Sequence, residues 1–376
     1  MKIIPFSKPD ITEEDIESVT DVIRSGWLAH GEFSSLLEDL FCQFTGAKYA
    51  ATVSSCTAGL HLSCLAAGFS KGDEVIVPAQ THVATAHAIE YTGAKPIFID
   101  VDPITGNIKW ELIKSKLSKN TKGIIPVHMG GYPCQMDKIV EICQANNLLL
   151  IEDCAHAIGT FFNNKHVGNF GKTGCFSFYP TKQITTGEGG IVISNDKKFI
   201  NKIRTLKAFG IDTPPNLRTK PGVYDVKELG FNYRMTDFQA ALGVGQMNRY
   251  DENLKKRQKN ASIYSSILCK NQNVLFAKFT ENCSYFLFQI LLNENLTREK
   301  IIEALQEKNI GFSIHYATPV PLMTFYKTKY GFAKGQFKNA ESYSNKNISL
   351  PVHSNLKNED VHYVCSSLNE ILNNAK

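Results

Sequence analysis

The sequence predicts an α/β protein built on one mostly parallel, seven-stranded sheet covered by helices, followed by a smaller C-terminal α+β domain. Seven short apolar runs rich in β-branched residues alternate with helix-like segments up to about residue 195. Such alternation is typical of parallel sheets with helical crossovers. The pattern changes near Tyr250, where a long polar helix is predicted. A chain of 376 residues also exceeds one ordinary core, which favours two domains.

The larger domain is expected at residues 1–248. Its predicted strands share an apolar, β-branched composition and lie at 48–54, 74–78, 96–101, 123–128, 148–153, 174–178 and 190–194. Its predicted helices have apolar residues at helical spacing and lie at 13–25, 58–67, 84–91 and 136–146. The first of these helices is expected to lie across the domain.

The smaller domain is expected at residues 249–376. Its predicted elements, in chain order, are a helix at 247–268, a strand at 285–292, a helix at 298–308, a strand at 311–316 and a helix at 358–372. The aromatic run 285–288 is interpreted as the core of this domain.

Composition limits the possible function classes. The apolar fraction of 43% and the charged fraction of 20% are typical of a soluble globular protein. The densest basic run, 255–259, suits a polar helix face better than a nucleic-acid-binding arm. No window approaches the length of a membrane span, and the ten cysteines lack metal-ligand spacing. We therefore expect a cytoplasmic protein that binds no nucleic acid, membrane or metal.

Lys182 is the first candidate catalytic residue. It follows the predicted strand 174–178 and precedes the glycine-rich turn 187–190. In an open parallel sheet, ligands bind beyond the carboxyl ends of the strands. An amine held there in a partly desolvated pocket can be neutral and can condense with a carbonyl compound. A solvated loop lysine is the competing interpretation.

Two further features fit a cofactor that carries a phosphate, a ring nitrogen and an aldehyde. Residues 54–60 lead from a strand into a helix through small residues, whose backbone N–H groups can bind phosphate. Asp153 ends the strand 148–153, where it either caps a turn or pairs with a cationic ring nitrogen. Ser177 can add a hydroxyl to the same phosphate. The order of phosphate loop, acid and lysine suits pyridoxal phosphate.

Several longer motifs make the interpretation specific. In chain order they are GAKPIFIDVD at 93–102, PVH at 126–128, IEDCAHAIG at 151–159, FSFYPTK at 176–182, LGFNYRMTDFQAA at 229–241 and the His-Tyr pair at 315–316. In these motifs the chain resembles the DegT/DnrJ/EryC1/StrS family of pyridoxal-phosphate-dependent sugar aminotransferases. The resemblance extends over residues 5–361 and implies the aspartate aminotransferase fold, known as fold type I.

The resemblance implies a role for each candidate that faces the cofactor ring. Lys182 would bond covalently to the aldehyde, and Asp153 would pair with the pyridinium nitrogen. His156 would face the ring hydroxyl. His82 would stack on the ring, at a position where relatives often carry an aromatic residue.

Further roles follow from the same resemblance. Cys56, Thr57 and Ser177 would hold the phosphate, although relatives commonly have glycine where Cys56 stands. Asn232 would reach the phosphate of the neighbouring subunit, which implies a homodimer with shared active sites. The pair at 315–316, His315 and Tyr316, would approach the sugar nucleotide.

The implied reaction moves an amino group from L-glutamate, which leaves as 2-oxoglutarate, to a nucleotide-linked keto-sugar for amino-sugar and surface polysaccharide biosynthesis. The turn 185–190 and the PVH motif are more similar to members that act on 4-keto sugars, so a 4-keto-6-deoxyhexose is favoured over a 3-keto sugar. Two competing functions are that of a sugar dehydratase, whose relatives carry histidine in place of Lys182, and that of a non-catalytic regulatory protein.

Overall fold

The structure is a computed structural model that describes residues 3–29, 31–211, 213, 220 and 222–375. The helices of the described residues are α1 (Glu13–Ser25), α2 (Glu32–Thr45), α3 (Cys56–Ala66), α4 (Val83–Glu90), α5 (Met136–Ala145), α6 (Lys197–Leu206), α7 (Asp237–Asn248), α8 (Tyr250–Leu268), α9 (Arg298–Glu307), α10 (Thr324–Tyr330), α11 (Lys338–Lys346) and α12 (Asn358–Asn374). The strands are β1 (Tyr49–Val53), β2 (Glu74–Pro78), β3 (Lys95–Ile99), β4 (Thr121–Ile124), β5 (Leu149–Asp153), β6 (Phe161–Phe162), β7 (Lys165–His166), β8 (Thr173–Ser177), β9 (Gly190–Ser194), β10 (Val274–Leu275), β11 (Phe288–Leu292) and β12 (Asn347–Leu350).

The main sheet contains the seven predicted strands in the order β1-β9-β8-β5-β4-β2-β3. Only β9 runs antiparallel to its two neighbours, and the other described pairings of the sheet are parallel. The prediction of a mostly parallel seven-stranded α/β sheet is confirmed. Because the six remaining strands point the same way, their carboxyl ends meet at one edge of the sheet.

Both faces of this sheet are buried under helices. Along β9, Ile191 and Ile193 pack against residues of α2 and α7, whereas Val192 packs with residues of α3 and α6. Successive side chains of a strand point to opposite faces, so an uninterrupted apolar run is what a doubly covered strand requires. Burial on both faces therefore explains why the predicted strands are uninterrupted apolar runs in the sequence.

Two helices begin at the carboxyl edge of the sheet. After β1, Ser55 caps α3 by accepting a hydrogen bond from the backbone N–H of Ala58 at 3.1 Å. After β2, His82 caps α4 through its Nδ1 atom, which accepts from the N–H of Ala84 at 3.2 Å. Both helix N-termini, with their unpaired N–H groups and positive dipole ends, therefore face the ligand-binding edge.

A second, antiparallel sheet has the order β10-β11-β12 and packs with α8, α9 and α12 around its own apolar cluster. The predicted strand 285–292 starts only at Phe288, because Tyr285 has a φ of 46°, which is incompatible with an extended strand. The predicted strand 311–316 does not form. Only Ser313 pairs there, with Ser349.

The pairing at Ser313 does not continue through the end of the segment, because side chains bond to the backbone groups of His315 and Tyr316. The N–H of His315 donates to Asn347 Oδ1 at 2.9 Å, and its carbonyl accepts from Gln289 Nε2 at 3.1 Å. The carbonyl of Tyr316 accepts from Gln80 Nε2 at 3.0 Å. Both residues are thereby held between the two sheets.

The predicted helix 247–268 is shorter than expected, since α7 and α8 are separated at Arg249. The guanidinium of Arg249 reaches Asp15 on α1 at 2.9 Å and Asp10 at 3.3 Å, so the break ties the N-terminal segment to both helices. Among the described helices, none combines the length and the apolar composition needed to cross a membrane.

Candidate active site

Lys182 lies in the connection between β8 and β9, at the carboxyl edge of the main sheet. Its backbone N–H donates to the carbonyl of Tyr179 at 2.9 Å, and its Nζ atom lies 4.2 Å from the centroid of the Phe286 ring. Burial lowers the pKa of the Lys182 amine to about 8, against the opposing influence of Asp153. At pH 7 about a tenth of the amine is thus neutral and nucleophilic, far more than for a lysine of ordinary pKa.

Asp153 is the last residue of β5 and is 4% exposed. Its Oδ2 accepts from the hydroxyl of Thr85 at 2.7 Å, and its Oδ1 accepts from the N–H of Ala155 at 3.1 Å. Burial raises the pKa of this carboxyl, while the two donors oppose the shift. Among the described residues, no Lys, Arg or His nitrogen lies within 4 Å of it. A buried carboxylate without a direct ion-pair partner is suited to a cationic ligand atom.

The neighbouring acid, Glu152, points elsewhere and is fully buried. It accepts hydrogen bonds from the backbone N–H groups of Gly168, Phe170 and Gly171, each at 2.7 Å, and pairs with His128 Nε2 at 3.2 Å. The ligand atoms of His128, Glu152 and Cys154 lie close enough to hold a metal ion. With four partners already on the carboxylate, however, this cluster serves as internal structure.

The predicted phosphate loop forms the first turn of α3, where Cys56 and Thr57 are the first two residues. The backbone N–H groups of a first helical turn have no partner within the helix and can bind an anion. A Cβ added at Gly190 would lie 2.6 Å from the Cys56 nitrogen and 2.7 Å from the Phe176 carbonyl oxygen. Gly190 also pairs with Ser177 in the sheet. The structure therefore brings all three predicted phosphate ligands to one place.

We expect Gly190→Ala to weaken phosphate binding and to destabilise the fold by about 1–3 kcal/mol, the range typical of overpacking. The added methyl group would push the first turn of α3 away from β9. Urea unfolding and titration with the phosphate-bearing cofactor would measure the two effects. Unchanged affinity and stability would contradict the tight approach of the two segments.

His156 lies in the loop after β5, is 3% exposed, and has a defined tautomer. Its Nδ1 accepts from the N–H of Gly130 at 3.3 Å, so the proton resides on Nε2, which lies 3.2 Å from the Tyr316 hydroxyl oxygen. Burial, followed by the charge of Lys182, holds the pKa of His156 well below its usual value. The ring is thus a neutral hydrogen-bond donor aimed into the site.

The other predicted residues fall into two groups. His82 and His315 flank Tyr316, with ring centroids at 5.6 and 5.3 Å, and therefore belong to the same site. Burial lowers the pKa of His82, and it lowers the pKa of His315 to about 3. Asn232 is exposed, and its Oδ1 accepts from Arg234 Nε at 2.9 Å. Within the described part of the chain, no hydrogen bond joins Asn232 to Lys182, Asp153 or His156.

Three residues that contact the candidate catalytic groups were not predicted from the sequence to do so. Phe286 was interpreted as core, yet its ring meets both Lys182 and His156. Thr85 and Gly130 orient Asp153 and His156 through single hydrogen bonds. The glycine pair after the PVH motif was a signal for Gly130, since Gly130 and Gly131 have φ values of 64° and 97°.

Together these groups can hold a ligand that has an anionic end, a cationic ring atom and a carbonyl carbon. The anion would meet the first turn of α3, and the cation would meet Asp153. The carbonyl would face the Lys182 amine. Such an arrangement suits covalent chemistry at a lysine combined with proton transfer.

Comparison with known proteins agrees with this chemistry. Residues 9–369 match the DegT/DnrJ/EryC1/StrS aminotransferase family. The GDP-perosamine synthase of Escherichia coli O157:H7 is 38% identical over 376 residues, which cover 98% of this chain and 99% of that protein.

Solved structures of similar fold include two sugar-modifying aminotransferases. Helicobacter pylori PseC, an aminotransferase involved in the biosynthesis of pseudoaminic acid, has a TM-score of 0.92 at 29% identity and covers 99% of this chain and 100% of its own. The PMP-form of the putative sugar aminotransferase Spr1654 from Streptococcus pneumoniae has a TM-score of 0.93 at 29% identity, with the same coverage. Spr1654 is also known in a PLP-form. A family match through nearly the whole chain makes this protein a sugar aminotransferase of the DegT/DnrJ/EryC1/StrS family.

Proposed function

We propose that the protein uses pyridoxal phosphate to move an amino group from L-glutamate to a nucleotide-linked 4-keto-6-deoxyhexose. The observation that carries the proposal is the Lys182 amine, whose pKa burial lowers to about 8, in one site with buried Asp153 and the first turn of α3. The PLP- and PMP-forms of Spr1654 support the cofactor. The product would be an amino sugar for surface polysaccharide biosynthesis.

The described residues fit this cofactor. The N–H groups of Cys56 and Thr57 and the hydroxyl of Ser177 would hold its phosphate, and the space left by Gly190 keeps the phosphate loop close to β9. Asp153 would supply the counter-charge for a protonated ring nitrogen. When bound, pyridoxal phosphate supplies an electron sink for the pair left when the α-proton of the amino donor is removed.

The remaining cofactor contacts use the groups around His156. Its Nε2–H would donate to the ring hydroxyl oxygen, because the Gly130 N–H occupies Nδ1. His82, at the start of α4, would cover one face of the ring. Since burial lowers the pKa of both histidines, they would remain neutral and add no charge beside Lys182.

Lys182 would also move the reacting proton. A neutral amine can take the α-proton of the donor and return it as an ammonium group. With a pKa of about 8, the amine is a competent base near neutral pH and its ammonium form is still an effective acid. Asp153 would hold the positive ring nitrogen throughout, so the proton moves without leaving an unpaired buried charge.

His315 and Tyr316 would contact the sugar nucleotide. Side-chain amides from both sheets hold their backbone, so the two rings would be in position before the sugar arrives. The similarity of the turn 185–190 and the PVH motif to members acting on 4-keto sugars supports amination at C4. A relative named GDP-perosamine synthase supports a nucleotide-linked sugar as substrate.

The dehydratase function is disfavoured by the lysine itself. A dehydratase of this family would carry histidine at position 182, and histidine cannot bond to the aldehyde as lysine does. The regulatory function is disfavoured by an intact set of reactive groups, since a non-catalytic protein needs no buried amine with a lowered pKa.

The deciding experiment incubates the purified protein with L-glutamate and a panel of nucleotide-linked 3-keto and 4-keto sugars. Mass spectrometry would detect the aminated product, and NMR would identify the aminated carbon. L-Aspartate and L-glutamine serve as comparison donors. Amination of 3-keto sugars alone would overturn the C4 assignment, and transfer from another donor alone would overturn the assignment of glutamate.

We further propose a homodimer in which Asn232 of each subunit reaches the partner's cofactor phosphate. Exposed apolar side chains surround the segment that carries Asn232, including Leu229 at 85% and Trp27 at 64% exposure. Residues 27–29 lie against this segment, since Asp237 N–H donates to the Leu28 carbonyl at 2.9 Å. Large exposed apolar side chains on these two segments support a subunit interface here.

We expect Leu229→Asp to shift the protein from dimer to monomer and to lower turnover, because Asn232 would lose access to the neighbouring site. Light scattering coupled to size-exclusion chromatography would measure the mass. Leu275→Asp changes an exposed leucine on β10 and is expected to leave both properties unchanged. A fully active wild-type monomer would contradict the shared site.

The domain division at residues 1–248 and 249–376 is also a proposal. It is supported by the break at Arg249 and by the separate apolar cluster of the second sheet. We place the protein in the cytoplasm. All ten cysteines are free thiols, as a reducing compartment would keep them.

A further inference from the structure

Phe286 is buried, with 3% of its surface exposed, but it does not belong only to the core of the second sheet. The centroid of its ring lies 4.2 Å from Lys182 Nζ and 4.4 Å from the centroid of His156. The ring of His315 lies at 5.9 Å from it. One apolar ring therefore forms a wall shared by the reactive amine and two of the site histidines.

The backbone around Phe286 is held in a conformation that aims the ring at the site. Tyr285 has a φ of 46°, which few bulky residues adopt, and its carbonyl accepts from the buried Arg257 Nη1 at 3.3 Å. On the other side, the N–H of Leu287 donates to the Gly130 carbonyl at 3.1 Å. The chain enters β11 only after this turn, so Phe286 is directed away from the second sheet.

Two opposing effects act on the amine beside this ring. The negative face of an aromatic ring attracts an ammonium group, which favours the charged form. Exclusion of water by the same ring favours the neutral form. Burial lowers the pKa of Lys182 to about 8 from the usual 10.5, so exclusion of water by the surroundings of the amine outweighs the nearby charges that favour its ammonium form.

The charged and titratable groups facing the amine do not account for this lowering. They come from α3, α4, β5, the loop after β5 and the segment 315–316, and they are Cys56, His82, Asp153, His156 and His315. Burial lowers the pKa of all three histidines, so they are neutral near pH 7, and Asp153 acts in the opposite direction. Burial of the amine is therefore the cause of the lowering, and the Phe286 ring, with its centroid 4.2 Å from Nζ, is part of the apolar surroundings that bury it.

We propose that Phe286 is a positioning residue: its ring keeps water from Lys182, sets the pH range over which the amine is nucleophilic, and fixes the plane of His156. The proposal rests on the proposed role of Lys182 as the residue that bonds to the cofactor. It assigns a part in the reaction to a residue that the sequence pattern places in a hydrophobic core.

The test follows covalent capture of pyridoxal phosphate by the full-length, cofactor-free protein from pH 6 to 10.5, using the visible absorbance of the bound cofactor. The capture rate of the wild type should rise with the neutral amine and level off with a midpoint near 8. Phe286→Ala should move that midpoint upward by about one unit or more, which lowers the rate at pH 7 about tenfold. Phe286→Leu, which keeps an apolar wall, should stay near the wild type.

Phe288→Ala is the matched control, since Phe288 is as buried as Phe286 but stacks on Tyr264 of α8, with ring centroids 4.9 Å apart. It should lower stability without moving the midpoint. If Phe286→Ala does not fold, Phe286→Thr replaces it with the same expected direction. An unchanged midpoint in the folded variant, or an equal shift in Phe288→Ala, would overturn the inference.

A Lys182→Ala sample separates this inference from the proposed function. Capture that persists without Lys182 would contradict the proposed function. If capture requires Lys182 but its pH midpoint is the same with and without the Phe286 ring, only the proposed role of the ring would be contradicted.

Discussion

Lys182→Ala is expected to lower turnover by at least about 10⁴-fold, because general acid–base catalysis alone contributes about 10²–10⁴-fold and the variant also loses the nucleophile. Alanine removes the amine that would bond to the cofactor and carry the reacting proton. The visible absorbance of the bound cofactor and its sensitivity to borohydride should disappear as well. Turnover with L-glutamate and absorbance spectra of the purified variant would measure both losses.

Two controls make this result specific. Lys182→Arg keeps a cation at the site but has no amine that can be neutral near pH 7, so it should be as inactive as alanine. Lys172→Ala removes a half-exposed lysine that pairs with Asp196 on the surface and should leave turnover unchanged. An active Lys182→Ala protein with unchanged absorbance would remove the basis for the proposed chemistry.

The wild-type pH profile follows from the same amine. Its pKa is lowered to about 8, so the neutral fraction, and with it capture of the cofactor, should rise as the pH increases from 6 to 8.

Asp153→Asn is expected to reduce turnover by about 10²–10⁴-fold, since loss of one partner of a buried ion pair costs about 3–5 kcal/mol and about 1.4 kcal/mol of barrier equals tenfold in rate. Asparagine has nearly the same shape and can still accept from Thr85. It cannot neutralise a protonated ring nitrogen, so the cofactor would lose its electron sink. Steady-state kinetics and the absorbance maximum of the bound cofactor would report the change.

Glu152→Gln is the matched control because Glu152 is adjacent in sequence and equally buried. Its carboxylate accepts from three backbone N–H groups and pairs with His128. The amide of glutamine has only one oxygen that can accept, so some of these donors would lose their partner. We therefore expect a loss of about 3 kcal/mol of unfolding free energy, with cofactor spectra retained. Were Asp153→Asn to lose stability while keeping turnover, the roles of the two acids would be reversed.

Local pattern was sufficient for much of the fold. The strands of the main sheet are buried on both faces, so each is an apolar run that stands out from polar surroundings. Helices α2, α6, α7, α10 and α11 were not predicted, although Asp196 caps α6. The predicted strand 311–316 was wrong because apolar composition cannot reveal that Asn347, Gln289 and Gln80 bond to the backbone groups of the His-Tyr pair at its end.

Sequence alone was enough to predict the mostly parallel sheet and to single out Lys182 and Asp153, because strand ends in such a sheet lie at a common edge and carry their chemistry in short local motifs. Only the tertiary structure decided what surrounds them. Phe286 stands 104 positions after Lys182, and Gly130 stands 26 positions before His156. The first contact depends on how the second sheet packs on the main sheet, and the second depends on the pairing of β4 with β5. A local sequence motif is enough to identify the lysine. The nucleophilicity that we propose for it depends on the ring of Phe286, which is distant in sequence and is brought close only by the fold.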